Sequence, residues 1–381
     1  MTDDNHAHPA YAASLPMGPI TLENRVVMAP LTRSRSEVPG NLQTPLHALY
    51  YSQRAGAGLI VSEATQISQE GQGYAWTPGI HSDEQVERWK LVTDAVHNAG
   101  GRIFCQLWHV GAISHNVFQP DGGAPVSASD WQPEGDAFVG DYHPDGPTVP
   151  HPKARGLRLD EIPRLIEDFR HATRQAVAAG FDGVELHAAN GYLLDQFIRS
   201  SSNRRDDRYG DSVENRIRIV GEILDAIAQD IAPGRIGVRL SPSGGAGGSH
   251  DDDPLTTYTA AAQLCAGRGL AYLHVVRPNS HGGGDDATAE EIVPAMRGAF
   301  DGVFIVNGGF EIEEGARWLE AGRADAICFG RKFLANPDLP ARIAAGGPYN
   351  EPDPDTFYGG GAEGYVDYPS LEKTEPPADA A

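Results

Sequence analysis

SDEQVERWKLVTDAVHNAGGRIFCQLWH, residues 82–109, spells out one complete structural unit. Its first half repeats Val86, Trp89, Val92 and Val96 at steps of three and four, the spacing of one helix face. Ser82 and Gln85 form an S-x-x-Q capping box at the start. Ala99-Gly100-Gly101 then breaks the helix. The run Arg102–Leu107 that follows is short and nearly continuous in apolarity, as a strand covered on both faces reads. A helix delivered directly into such a strand predicts a parallel sheet covered by helices.

The unit recurs in both directions. Strands are predicted at Arg25–Met28, Leu59–Ser62, Arg102–Leu107, Gly183–Leu186, Ile236–Leu240, Tyr272–Val276, Val303–Val306 and Ala326–Phe329. Helices are predicted at Pro45–Ala55, Ser82–Asn98, Asp160–Ala179, Asp211–Ala228, Thr256–Arg268, Ala289–Phe300, Ile312–Ala321 and Pro337–Ala344. Eight alternations predict an α/β chain folded as a single (β/α)8 TIM barrel, which needs about 250 residues. The surplus falls to an insertion after strand three, residues 108–158, and to a C-terminal extension, residues 345–381. The insertion is rich in Gly, Pro, Asp and His and reads as a loop subdomain. An open doubly wound sheet is disfavoured, because no strand leads into G-x-G-x-x-G with an acidic residue about 20 positions on. The stretches Gly244–Gly248 and Gly282–Gly284 read as flexible loops.

Composition narrows the partners. Of 381 residues, 52 are acidic and 30 basic, a net charge of −22 that repels phosphate backbones and argues against nucleic acid. Hydrophobic residues make up 40%, enough for a sizeable core, yet no apolar run approaches the ~20 residues of a membrane span. Residues 1–15 lack the basic start and apolar stretch of a signal peptide, so a cytoplasmic location is expected. Cys105, Cys265 and Cys328 form no C-x-x-C pair and read as buried, reduced thiols. The 14 histidines show no H-x-H or H-E-x-x-H spacing, and no metal is expected.

In a barrel, chemistry gathers where strands end and βα loops begin. His187-Ala188-Ala189-Asn190-Gly191-Tyr192 follows strand four. Its His and Asn can converge as two neutral donors on one oxygen that gains negative charge in a reaction. Tyr192 adds a phenol still protonated at neutral pH. The alternative is a satisfied structural histidine and a turn asparagine. Arg239 ends strand five and needs either an anion or an ion pair with Glu63 or another carboxylate. Asn307-Gly308-Gly309 and Gly330-Arg331 follow strands seven and eight, where barrel enzymes often hold phosphate; the alternative is simple turns.

These pieces, in this order, resemble the Old Yellow Enzyme family of flavin-dependent ene-reductases, in its bacterial and plant-like branch. The resemblance spans Leu15 to Pro369 and rests on residues 24–33 (NRVVMAPLTR), 106–109 (QLWH), 187–194 (HAANGYLL), 202–210 (SNRRDDRYG), 239–242 (RLSP) and 357–365 (FYGGGAEGY). It implies FMN held at the mouth of the barrel. Flavin contacts would come from Pro30, Leu31, Thr32, Ala64, Gln106 and Arg239, with Thr32 on the flavin O4. Asn307, Gly308, Gly309, Gly330 and Arg331 would form the phosphate end. His187 and Asn190 would grip the carbonyl or nitro oxygen, and Tyr192 would protonate the α-carbon after flavin N5 gives hydride to the β-carbon. Tyr74, Trp108 and Tyr358 would line the substrate cavity. The implied enzyme is an NAD(P)H-dependent ene-reductase of the NADPH dehydrogenase type, monomeric or homodimeric, in which NADPH or NADH and then the enone use one pocket by turns. Relatives have His where Asn190 stands, and many bacterial members have Arg where Ala112 stands.

Other readings fare worse. An iron–sulfur dienoyl reductase needs a cysteine cluster that this chain lacks. An aldolase or isomerase usually wants a lysine or paired carboxylates at the mouth, and no strand ends in Lys. A catalytically idle flavin binder would have no use for the His187, Asn190 and Tyr192 set.

Overall fold

Eight strands, all parallel, pair side by side until the last meets the first. The structure, a computed structural model, describes residues 7–277 and 286–371, with the backbone alone for 286–290. The strands are β1 (Val26–Met28), β2 (Leu59–Val61), β3 (Ile103–Trp108), β4 (Gly183–Ala188), β5 (Ile236–Leu240), β6 (Tyr272–Val276), β7 (Val303–Asn307) and β8 (Ala326–Phe329). β8 pairs with β1 and β3 with β4, which closes the ring; a two-residue strand, Thr65–Gln66, adds a rung beside the end of β3. Helices α1 (Pro45–Ser52), α2 (Asp83–Asn98), α3 (Ile162–Ala178), α4 (Val213–Ile227), α5 (Pro254–Cys265), α6 (Asp286–Ala299), α7 (Ile312–Glu320) and α8 (Leu339–Ala345) follow the strands in turn. This is the predicted (β/α)8 barrel. The Ser82 hydroxyl accepts from the Gln85 amide and caps α2 as its sequence predicts.

Alternation along each strand sorts the side chains. Val26, Met28, Ile103, Cys105, Leu107, Val184 and Leu186 face outward into one large core shared with the helices. Val27, Leu59, Phe104, Tyr272, Ile305 and Ala326 face inward. They meet an antiparallel hairpin, Leu15–Met17 with Ile20–Leu22, whose Leu15, Met17 and Leu22 are buried against them at the N-terminal end of the barrel. The sequence reading has no such hairpin, because three-residue strands give too little periodicity to detect.

Three strands run further than predicted, β7 by one residue to Asn307. β3 reaches Trp108 and β4 reaches Ala188, because His187 and Ala188 keep their register with Arg239 and Leu240. His187 is therefore a strand residue, not a loop residue. Inside a barrel a strand's inward face can be polar, so His187 continues the strand instead of ending it.

Two segments rise over the C-terminal mouth. Residues 109–158 carry two small sheets: Val126–Ser127 beside Arg155–Gly156, and Asp136–Phe138 with Thr148–Pro150. Ala75, Phe118, Ala137, Val139 and Val149 form a small core of their own there. A strap around residues 356–365 returns to the β1 loop. Arg33 donates to the Phe357 and Gly364 carbonyls at 2.9 and 2.8 Å, and Arg35 to that of Thr356 at 2.9 Å. Tyr365 stacks on Tyr50 of α1 at 4.0 Å between ring centres. Gly244–Gly248 forms a 3-10 turn in part, at Ala246–Gly248, whereas Gly282–Gly284 lies outside the described residues.

Candidate active site

Toward the mouth, the inward positions of the strands turn polar. Gln106, Glu185, Arg239 and His274 are all buried; Gln106 faces Glu185 across β3 and β4, Arg239 faces His274 across β5 and β6, and the two pairs are offset by two residues. The Gln106 amide donates to Glu185 at 2.7 Å, and His274 Nδ1 lies 2.9 Å from the other carboxylate oxygen. Arg239 donates to Asn307 at 3.0 Å, and the Asn307 amide donates to the Cys328 carbonyl at 2.8 Å. Among the described residues Arg239 has no carboxylate within ion-pair distance; Glu63 is held instead by Gln43 and Tyr51. Burial pushes His274 down toward the neutral form despite Glu185. Burial would raise Glu185, but His274, Arg239 and Gln106 together hold it below the ordinary range, so it is ionised.

Two residues beyond Glu185 on β4, and in register with Arg239, is His187. Burial first, then the nearby Arg239 and His274, pushes it well below its ordinary value, so the imidazole is neutral at physiological pH. Its Nδ1 is buried without a partner among the described residues, as are Arg239 Nε and Trp108 Nε1. Buried polar atoms are nearly always paired, so three orphans around one cleft mark a place where a polar ligand belongs.

The turn after β4 is held from several sides. Asn190 takes a left-handed conformation (φ 59°) and its amide donates to the Ser241 hydroxyl at 2.6 Å. Gly191 (φ 80°) donates to the Asp195 carboxylate at 2.7 Å. A Cβ on Gly191 would stand 2.5 Å from the Ala246 amide, so no larger residue fits that turn. Asp195 is fixed in turn by Arg199 at 2.8 Å and by Tyr258. Beyond the turn, the Tyr192 hydroxyl lies 3.2 Å from that of Tyr74, and Tyr192, His187 and Trp108 form one aromatic cluster, the Tyr192 ring centre 5.2 Å from that of His187 and 4.9 Å from that of Trp108. Burial and then Tyr74 raise Tyr192 well above 10, so it holds its proton at neutral pH. Ala64 joins the same apolar wall.

On the opposite side of the mouth, a cavity of about 480 Å³ is lined by Leu31, Asn307, Gly308, Gly309, Gly330 and Arg331, and reaches Tyr349 and Asn350. Gly308 (φ 130°) crosses Arg277 so closely that a Cβ would stand 2.6 Å from the arginine's side chain. Arg277 is pinned by the Gly308 carbonyl at 2.7 Å and by Glu314. Backbone amides at the ends of two adjacent strands, with an arginine beside them, suit a phosphate.

The predicted residues thus gather into two groups. His187, Tyr192, Tyr74, Trp108 and Ala64 cluster together, with Arg239 in register with His187 and Asn190 on the turn between His187 and Tyr192; Leu31, Asn307, Gly308, Gly309, Gly330 and Arg331 border the cavity. The Arg239–Asn307 hydrogen bond joins them. Pro30 and Thr32 flank Leu31 on the β1 loop, partly exposed. Tyr358, 64% exposed, sits on the strap near enough to Tyr74 and Tyr192 to act on both electrostatically. An elongated ligand with a polar ring at one end and a phosphate at the other matches this donor set, and FMN has that shape. Sequence reasoning missed Glu185, His274 and Asp195. The first two were legible as inward positions of β4 and β6, in phase with His187 and Tyr272.

Comparison with known proteins gives one answer. Residues 13–350 match the model of the NADH:flavin oxidoreductase / NADH oxidase family. A putative 12-oxophytodienoate reductase 5 from Oryza sativa subsp. japonica is 46% identical over 362 residues, 94% of either chain. The 12-oxophytodienoate reductase 2 of Arabidopsis thaliana is 43% identical over 371 residues, 94% of this chain and 95% of that one. Among solved structures, morphinone reductase in complex with tetrahydroNAD superposes with a TM-score of 0.89 at 46% identity, covering 96% of this chain and 99% of its own. The Old Yellow Enzyme homologue from Zymomonas mobilis gives 0.89 at 42%, covering 94% and 99%. The chain therefore belongs to the NADH:flavin oxidoreductase / NADH oxidase family, the Old Yellow Enzyme group, and is an FMN-dependent oxidoreductase that reduces activated C=C bonds with electrons from a nicotinamide.

Proposed function

We propose that the chain is an NAD(P)H-dependent ene-reductase of the NADPH dehydrogenase type, acting on α,β-unsaturated carbonyl or nitro compounds. The observation that carries this reading is the neutral His187 in register with Arg239, beside a protonated Tyr192. His187 and Asn190 donate to the substrate's carbonyl or nitro oxygen and draw electron density from the β-carbon. One such donor is worth roughly 3–4 kcal/mol when charge develops on that oxygen. FMN, when bound, supplies the hydride. Tyr192 delivers the proton to the α-carbon, and Tyr74 orients the phenol. Pro30, Leu31, Thr32, Ala64, Gln106 and Arg239 hold the flavin ring; Asn307, Gly308, Gly309, Gly330 and Arg331 hold the phosphate end. Trp108, Tyr74 and Tyr358 line the substrate space. The relatives' names, an oxo-dienoate reductase and a morphinone reductase, point to unsaturated ketones.

Nicotinamide and enone share one cleft by turns, which gives ping-pong kinetics. With a net charge of −22, the protein works on small molecules as a cytoplasmic monomer or homodimer, without nucleic-acid or membrane partners. Among the described residues no helix is long and apolar enough to cross a membrane. The test is anaerobic: NADPH or NADH bleaches the yellow protein, and cyclohexenone added afterwards restores the colour. Colour that returns with oxygen but not with the enone would refute the assignment.

A further inference from the structure

Glu185 has no part in the chemistry above, yet it is fully buried inside the barrel and ionised. Burying a carboxylate costs several kcal/mol, which only well-placed partners offset. The position is also specific. Lower on the same inner face the residues are apolar, and Glu185 sits in the polar cluster above them, facing Gln106 and bonded to His274, which in turn faces Arg239.

Both carboxylate oxygens are engaged, by Gln106 at 2.7 Å and His274 at 2.9 Å. An ionised carboxylate only accepts. It therefore fixes which end of the Gln106 amide faces it: the NH2 group turns toward Glu185, and the carbonyl oxygen is left for a ligand N–H. The neutral His274 must likewise present Nδ1–H to Glu185. The cluster then carries one negative charge, on Glu185, and one positive, on Arg239. On the reading given above, Gln106 and Arg239 meet the pyrimidine edge of the flavin, where the reduced ring gathers negative charge.

We propose that Glu185 is a positioning residue for the flavin: it orients the Gln106 amide, offsets the field of Arg239, and so lowers the reduction potential of the bound cofactor. The inference rests on the assignment of Gln106 and Arg239 to the flavin ring.

The experiment measures the two-electron potential of bound FMN by equilibration with a reference dye in wild type, Glu185→Gln, Glu185→Met, Glu185→Asp and Arg239→Gln. Removing the buried charge should favour reduced over oxidised flavin by about tenfold, an upward shift of about 30 mV for a two-electron couple. Glu185→Asp keeps the charge and should stay at the wild-type value. Glu185→Met serves where Glu185→Gln does not fold: it removes the charge without adding a polar group of its own, although Gln106 and His274 lose their acceptor. Arg239→Gln should shift the potential downward. Glu185 variants at the wild-type potential, with Arg239→Gln shifted, would overturn the role of Glu185 alone. An unshifted Arg239→Gln would instead overturn the assignment of this cluster to the flavin.

Discussion

The two ends of the barrel interior are built by the same strands to opposite specifications. At the lower end Phe104, Tyr272, Ile305 and Ala326 close on Leu15, Met17 and Leu22 of the hairpin. Two residues higher, β3, β4, β5 and β6 turn Gln106, Glu185, Arg239 and His274 inward, and Arg239 Nε and His274 Nε2 lack partners. Apolar burial contributes roughly 25 cal/mol per Å², whereas each unpaired buried polar group costs about 1–3 kcal/mol. The lower end supplies the stability that the upper end gives up for chemistry.

The double variant His187→Ala/Asn190→Ala should break that division most visibly. Reoxidation of the reduced flavin by enone should slow about 10³-fold, or ~4 kcal/mol, with FMN still bound. Rapid-mixing absorbance measures it, and an unchanged rate would leave the upper layer no more functional than the lower. Tyr192→Phe should slow the same half-reaction about 10²-fold while nicotinamide reduces the flavin at the wild-type rate. Equal slowing of both halves would mean the proton comes from elsewhere.

Leu22→Ala probes the lower end. Urea unfolding should show a loss of about 3 kcal/mol, because the methyl groups leave a cavity, with turnover per folded molecule unchanged. A fall in turnover would show that the ends are coupled.

Glu63, just beyond β2, sharpens the comparison through pH. Burial pushes its carboxyl up to about 7, against the opposing effects of Gln43, Arg33 and Tyr51. A raised acid in the folded state binds its proton more tightly than when unfolded. Its stabilising contribution is complete below pH 4.5 and is lost as pH rises through 7. Glu63→Gln, which cannot ionise, should therefore gain about 2 kcal/mol relative to wild type between pH 5 and pH 8, read from paired denaturation curves. A pH-independent difference would place the carboxyl's titration elsewhere.

The barrel itself was legible because its signal repeats: Val86, Trp89, Val92 and Val96 set one helix, and Ile236–Leu240 and Tyr272–Val276 were found at their observed bounds. His187, Asn190 and Tyr192 were legible as a short motif beside a strand end. Glu185 and His274 lay inside predicted strands, in phase with His187 and Tyr272, but were not singled out, because in a strand buried on both faces the sequence does not say which face lines the site. The hairpin at Leu15–Leu22 escaped for want of length. The Arg33 and Arg35 contacts escaped because their partners are backbone carbonyls, which every residue has.

Those arginine contacts bear on biogenesis. Arg33 is buried at 1% exposure, yet the carbonyls of Phe357 and Gly364 that satisfy it are translated more than three hundred residues later. Throughout synthesis the guanidinium must remain in water, and the rim that carries Tyr358 cannot settle until residue 364 has left the ribosome. A chain interrupted before that point should retain much of the secondary structure but no finished entrance, so premature termination yields inert protein instead of a leaky, partly active oxidase.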